Sequence, residues 1–147
     1  MIVQTILGIV AIGFLVGTTA SAQAHEVCTH EDAIQADKSL DSLSDWRHVY
    51  ESFKHYSHCD DGALAEGYSD KIASLLVNHW DSVEELLHLW RAHPQFGRFV
   101  LAHVDDLMSP EQAKTVIKNA RERCPPDSKK YCVSLERKAQ ELMGRGT

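Results

Sequence analysis

The chain has 147 residues, with 21 acidic against 15 basic side chains, a formal net charge of −6, nine histidines and four cysteines. An acidic balance without a basic cluster or a basic amphipathic helix argues against nucleic acid and anionic membrane surfaces as partners. A basic protein partner stays open, although surplus acid is also an ordinary route to solubility.

Residues 1–24, MIVQTILGIVAIGFLVGTTASAQA, carry no side-chain charge. An apolar run at 6–16 is followed by small residues at 17–22, and both Ala20-Ser21-Ala22 and Ala22-Gln23-Ala24 fit the small-x-small cleavage rule. The expectation is a signal peptide, residues 1–24, cleaved after Ala22 or Ala24, and a periplasmic or secreted protein. The n-region lacks Lys and Arg, and retention as an anchor is the competing reading. The apolar run is shorter than the roughly 20 residues a span needs and has no basic flank, so no stable membrane insertion is expected after cleavage. About 120 residues then remain, enough for one domain with one core.

Cys28, Cys59, Cys124 and Cys132 all lie in that remainder. An even count in an oxidising compartment favours two disulfides. Three pairings are open. Cys124 and Cys132 flank a Pro125-Pro126 turn, which favours the local pairing and leaves Cys28 for Cys59, while a crossed pairing would join helices distant in sequence.

Residues 25–43 read as an irregular N-terminal arm, with a short helix around Asp32 to Asp37. A single helical domain is expected over 44–147. Its first helix opens at Ser44 or Asp45 and carries Trp46, Val49, Tyr50 and Phe53 on one stripe, with Arg47 and Glu51 at neighbour spacing outside. It ends near His58, and Cys59-Asp60-Asp61-Gly62 makes a turn. Asp60 or Asp61 then caps the central helix, whose apolar face runs through Leu64, Ala65, Tyr68, Ile72, Leu75, Leu76 and Trp80. Gly67 in its middle implies either close approach of another backbone or a kink recapped by Ser69. Ser82 with Glu85 reads as a capping box ahead of Val83, Leu86, Leu87 and Trp90, a helix that stops before Pro94. Phe96, Phe99, Val100, His103, Val104 and Leu107 form the next stripe. Ser109, Pro110 and Gln112 open a helix through Ala113, Val116, Ile117 and Ala120, which Pro125-Pro126 ends. A last helix from Asp127 or Ser128 buries Cys132, Leu135, Ala139 and Leu142. No segment alternates with period two over strand length. The fold class is therefore all-α: a small bundle of five to seven helices, tied by disulfides.

The densest chemistry lies between His55 and Glu66. His55 and His58, three residues apart on a helix, can share a divalent ion with Asp60 or Asp61 as third ligand, and in a chain cleaved after Ala24 the amine and imidazole of His25 can chelate copper, with His30 or His58 completing the site. The bland alternative is that the histidines cap one helix end and the aspartates the next helix start. Asp60, Asp61 and Glu66, or Asp105 and Asp106, supply carboxylate pairs, but acid–base work needs them in a pocket with unequal environments. No G-x-S-x-G is present and the thiols are expected oxidised.

The stretch Cys59-Asp60-Asp61-Gly62-Ala63-Leu64-Ala65-Glu66-Gly67-Tyr68-Ser69, with Phe99-Val100-Leu101 and Arg123-Cys124-Pro125, resembles a set of small exported bacterial all-helical proteins between Trp46 and Leu135. In size, address, disulfides and helical class the chain is also similar to small periplasmic immunity proteins that neutralise peptidoglycan amidases delivered by type VI secretion. No motif matches them residue by residue, so that likeness implies protein binding only at the level of fold.

The leading expectation is a non-enzymatic periplasmic protein that binds another, basic protein, an inhibitor or immunity factor being one form. Asp60, Asp61, Glu66 and Tyr68 are the candidate contacts, and no catalytic residue or cofactor is expected. The first alternative is a small copper- or zinc-binding protein using His55, His58, Asp61 and His25. The second is a structural envelope protein in which the polar cluster only caps helices.

Overall fold

Seven α-helices follow one another in the computed structural model, which describes residues 27–145. They are α1 (His30–Leu40), α2 (Trp46–Tyr56), α3 (Gly62–Asn78), α4 (Val83–Ala92), α5 (Pro94–Ala102), α6 (Pro110–Glu122) and α7 (Lys129–Arg145). Single 3₁₀ turns at Ser57–Cys59 and Trp80–Ser82 link α2 to α3 and α3 to α4. No strand occurs among the described residues. The expected signal peptide and its cleavage sites lie outside them.

The start signals act as local chemistry requires in three helices. Asp45 and Asp61, both in extended backbone, accept the His48 and Gly62 N–H groups, and Ser109 forms a full capping box with Gln112. The Ser82–Glu85 box does not form. Ser82 sits in the 3₁₀ turn with φ −89° and ψ 3°, its hydroxyl donates back to the His79 carbonyl, and Glu85 instead binds Arg47 at 3.1 Å. Arg47 is thereby taken from Glu51, which pairs with Lys54 at 2.7 Å.

The N-terminal arm is more ordered than its pattern suggested. Residues 30–40 form a complete helix, started by a capping box between Thr29 and Asp32. Disulfide Cys28–Cys59 fixes it to the α2–α3 turn, and Ala36 is fully buried beneath it. Leu40 packs over Gly67, where a Cβ would collide with it. A larger residue in the middle of α3 would oblige the Leu40 side chain to shift. A side chain, not a backbone, fills the space, and α3 runs unbroken past Ser69.

The core is built from the expected faces. Trp46, Val49, Tyr68, Ile72, Leu76, Leu86, Leu87, Phe96, Val100, Val116 and Leu135 are at most 1 % exposed. Each such aliphatic side chain contributes about 1.5–3 kcal/mol on removal from water. Between α2 and α5, Tyr50, Phe53, Phe96 and Phe99 form an aromatic group with ring centroids 5.1–6.4 Å apart. The stripe predicted to reach Leu107 stops early: α5 ends at Ala102, His103 and Val104 are buried in the following turn, and Leu107 stands 60 % exposed. The second disulfide, Cys124–Cys132, closes the α6–α7 turn, so the local pairing is the one present. The Trp80 indole donates to the Arg123 carbonyl at 3.0 Å, fastening the α3–α4 junction to the end of α6.

Candidate functional site

The turn between α2 and α3 is held from three directions. Cys59, 4 % exposed, is tied to Cys28. Asp61 caps α3, its Oδ1 accepting the Gly62 N–H at 2.8 Å, and Gly62 takes φ 52°, a left-handed conformation that suits glycine. Asp60 reaches inward to His103, which arrives 43 residues later at the end of α5.

His103 is 4 % exposed, and both ring nitrogens face acceptors. Nδ1 lies 2.9 Å from the Phe99 carbonyl and Nε2 lies 3.0 Å from Asp60 Oδ1. A neutral imidazole has only one N–H, so this environment calls for the imidazolium, donating on both sides. Burial alone would lower its pKa. The hydrogen bond to Asp60, the Phe99 carbonyl and the charges of Asp60 and Asp105 outweigh that, and the pKa is raised above the ordinary histidine value. Both ring nitrogens are thus engaged inside the protein.

The neighbouring polar groups are likewise engaged in holding helices together. Ser69 of α3 donates to Asp105 Oδ2 at 2.6 Å, while Asp105 Oδ1 accepts the Leu107 N–H. His103 thus lies between the two acidic turns, with Asp60 bonded to its ring and Asp105 acting on it by charge. Tyr68 is fully buried, with its ring edge on Phe99 and His103. Its hydroxyl meets Ser52 Oγ at 2.8 Å, Ser52 meets Ser39 at 3.0 Å, and Ser39 donates to the Ala36 carbonyl. This chain of hydroxyls threads α3, α2 and α1. Burial pushes the Tyr68 pKa up, with the bond to Ser52 acting against it.

Tyr68 is therefore corrected from a partner contact to a core residue, because its apolar ring and its hydroxyl are both consumed inside. Asp60 is half-buried and bound. Asp61 and Glu66 are exposed, and no ion pair involves either among the described residues.

The structure does not gather the proposed metal ligands. Among the described residues no three His, Cys, Asp or Glu side chains stand together as an ion-binding set. The reason is local: α2 ends at Tyr56, so His55 and His58 do not share a helical face. His55 is exposed beside Tyr56, whereas His58 turns to α1, its Nε2 3.5 Å from Asp32 Oδ2. The Asp32 carboxyl is held below the usual range, chiefly by the Thr29 hydroxyl and backbone, with His58 adding to it. His25 lies outside the described residues.

Two features are not carried by local periodicity. His103 falls on an apolar stripe, and nothing in its sequence neighbourhood announces a partner 43 positions upstream. The second is charge segregation, which counting by segment would have found. Residues 27–109 hold fifteen acidic and six basic side chains, whereas residues 110–147 hold five acidic and nine basic. The acidic total hides a basic α6–α7 hairpin. Compared with known proteins, the chain matches no family model, no curated protein and no solved structure.

Proposed function

We propose that the protein is exported and works without catalysis, binding a basic surface of another protein through the acidic segment from Asp60 to Glu66, which spans the α2–α3 turn and the start of α3. The observation that carries this reading is the way that turn is fixed. A disulfide, a helix cap and a buried ion pair fix its backbone, while Asp61 and Glu66 stand exposed without cations of their own. Preorganised charge loses little entropy on binding and steers encounter with an oppositely charged partner. An inhibitor or immunity factor is one form of such a protein.

The rival reading, in which the cluster only holds the fold, is favoured by the His103–Asp60 pair, which is structural on its face. Asp61→Asn with Glu66→Gln separates the two, since asparagine caps a helix as well as aspartate does. The reading expects a protein cross-linked to the wild-type chain in periplasmic extract to be lost with this variant, while the melting temperature stays within about 2 °C. Undiminished capture by the variant, or no specific capture by the wild type, refutes it.

A further inference from the structure

The apolar interior is in two parts. The main core runs through α2 to α7, while a small second core beneath α1 consists of Ala36, Cys59 and Leu64 with Leu40 and Tyr56 packed on it. The Cys28–Cys59 bridge belongs to this second part. The other bridge differs, because Cys132 lies in the main core and α6 and α7 already pack against each other.

Helix α1 has few fastenings besides its bridge. Among its side chains only Ala36 is fully buried, and the polar ties to its neighbours are Ser39 to Ser52 at 3.0 Å and Asp32 to His58 at 3.5 Å. A free helix of 11 residues is marginal in water, so α1 persists through its docking. With the bridge closed it is held at both ends, by Cys59 at one and by the short link into α2 at the other. A bridge across 31 residues disfavours the open chain on the order of several hundredfold in the chain-entropy model. The α2–α3 turn keeps its other fastenings without it, since Asp61 still caps α3 and Asp60 still binds His103.

We propose that Cys28–Cys59 is a redox latch: a dithiol reductant opens it, and α1 then leaves its seat while α2 to α7 stay folded. The hinge is at Asp41 and Ser42, because Leu43 beyond them is buried in the main core. Cys28 is the more exposed of the pair, so the incoming thiolate attacks its Sγ. The S–S bond breaks and its electron pair leaves on Cys59 Sγ. The reagent's second thiolate then attacks the reagent sulfur of the mixed disulfide and releases the Cys28 thiolate. The protein has gained two electrons and, on protonation, two protons, and the dithiol has become a cyclic disulfide. A thiolate buried at Cys59 is costly, and withdrawal of Ala36 opens it to water, so reduction and release favour each other. Release also uncovers Leu64, which stands between Asp61 and Glu66 in the chain and adds an apolar surface to that acidic segment. The latch does not depend on whether that segment binds a partner.

Hydrogen exchange of the full chain, read by mass spectrometry helix by helix, tests the latch. In Cys124→Ser with Cys132→Ser only the proposed latch remains to be reduced. Dithiothreitol should speed exchange in α1 at least about tenfold there, leave α3, α4 and α6 protected, and be reversed by reoxidation with glutathione disulfide. The complementary variant, Cys28→Ser with Cys59→Ser, keeps the other bridge and should show the fast α1 with no reductant present. It carries the test against the wild type if the first variant does not fold. Exchange in α1 that is as slow with the bridge absent as with it closed overturns the proposal. So does loss of protection in all helices together, which would make the bridge a staple of the whole fold.

Discussion

Replacing Asp60 by asparagine isolates the contribution of the buried ion pair, and pH gives the result a sign. In the wild type His103 holds its proton more tightly folded than unfolded, because Asp60 and the Phe99 carbonyl both accept from it. The native state therefore binds more protons in that window, and stability falls as pH rises. The stabilisation is fully present below the unfolded histidine value of about 6.5 and is lost as pH climbs through the raised folded value. One proton sets the steepest slope, about 1.4 kcal/mol per pH unit. In Asp60→Asn the carboxamide can donate to Nε2 of a neutral ring whose Nδ1–H still bonds Phe99. A charge-assisted bond of about 1.5–3 kcal/mol then becomes a neutral one of about 0.5–1.5 kcal/mol, a loss of about 1–2 kcal/mol near pH 6. Burial is left as the main influence on the imidazole, so its folded pKa drops and the slope below pH 6.5 reverses. The assay is urea unfolding from pH 5.5 to 9, read by the fluorescence of the buried Trp46, Trp80 and Trp90. Subtracting the variant's curve from the wild type's cancels every other titration. A difference that stays constant across this range would show that His103 is not an imidazolium in the folded protein.

Two further substitutions probe packing and the hydroxyl chain. A Cβ at Gly97 would fall inside the Trp90 indole, which is itself backed by Tyr131 at 5.2 Å. Gly97→Ala should therefore cost about 1–3 kcal/mol despite alanine's better helix propensity, seen as a lowered denaturant midpoint; unchanged stability would mean that the indole has room to move. Tyr68→Phe removes the hydroxyl that meets Ser52, which keeps its bond to Ser39. A loss of about 0.5–1.5 kcal/mol is expected, and ultraviolet titration should show in the wild type, but not in the variant, a tyrosine that ionises above the ordinary tyrosine value.

The parts legible in the chain are those set by neighbours in sequence. The apolar stripes of α2, α3, α4 and α6 and the caps at Asp45, Asp61 and Ser109 follow from residues within one or two turns of each other. Helix α1 was less legible because only Ala36 is fully buried, and tertiary ties through Cys28 and Leu40 hold it. Its cap was nonetheless written there, as a Thr29–Asp32 box with aspartate where glutamate is usual. Ser82 misled because a capping sequence does not specify the extended backbone that a cap needs, and the turn at Trp80 denies it that geometry. His103, Ser69 and Tyr68 depend on partners 43, 36 and 16 residues away, distances at which periodicity is silent.

The two disulfides are consecutive: the first cysteine joins the second and the third joins the fourth, across separations of 31 and 8 residues. A chain emerging N-terminus first can therefore oxidise correctly in the order in which its cysteines appear, each partner being the next to arrive. Neither bridge has to wait for a distant segment, and neither native bond has to be broken to admit a later one. Crossed pairings would place correct oxidation at the mercy of thiol–disulfide isomerisation, whose uncatalysed timescale is minutes to hours. The α1–α3 unit can be locked before α6 and α7 have been released, and non-covalent contacts, apolar packing with the Trp80–Arg123 and Arg91–Ser128 bonds among them, then join α6 and α7 to the rest.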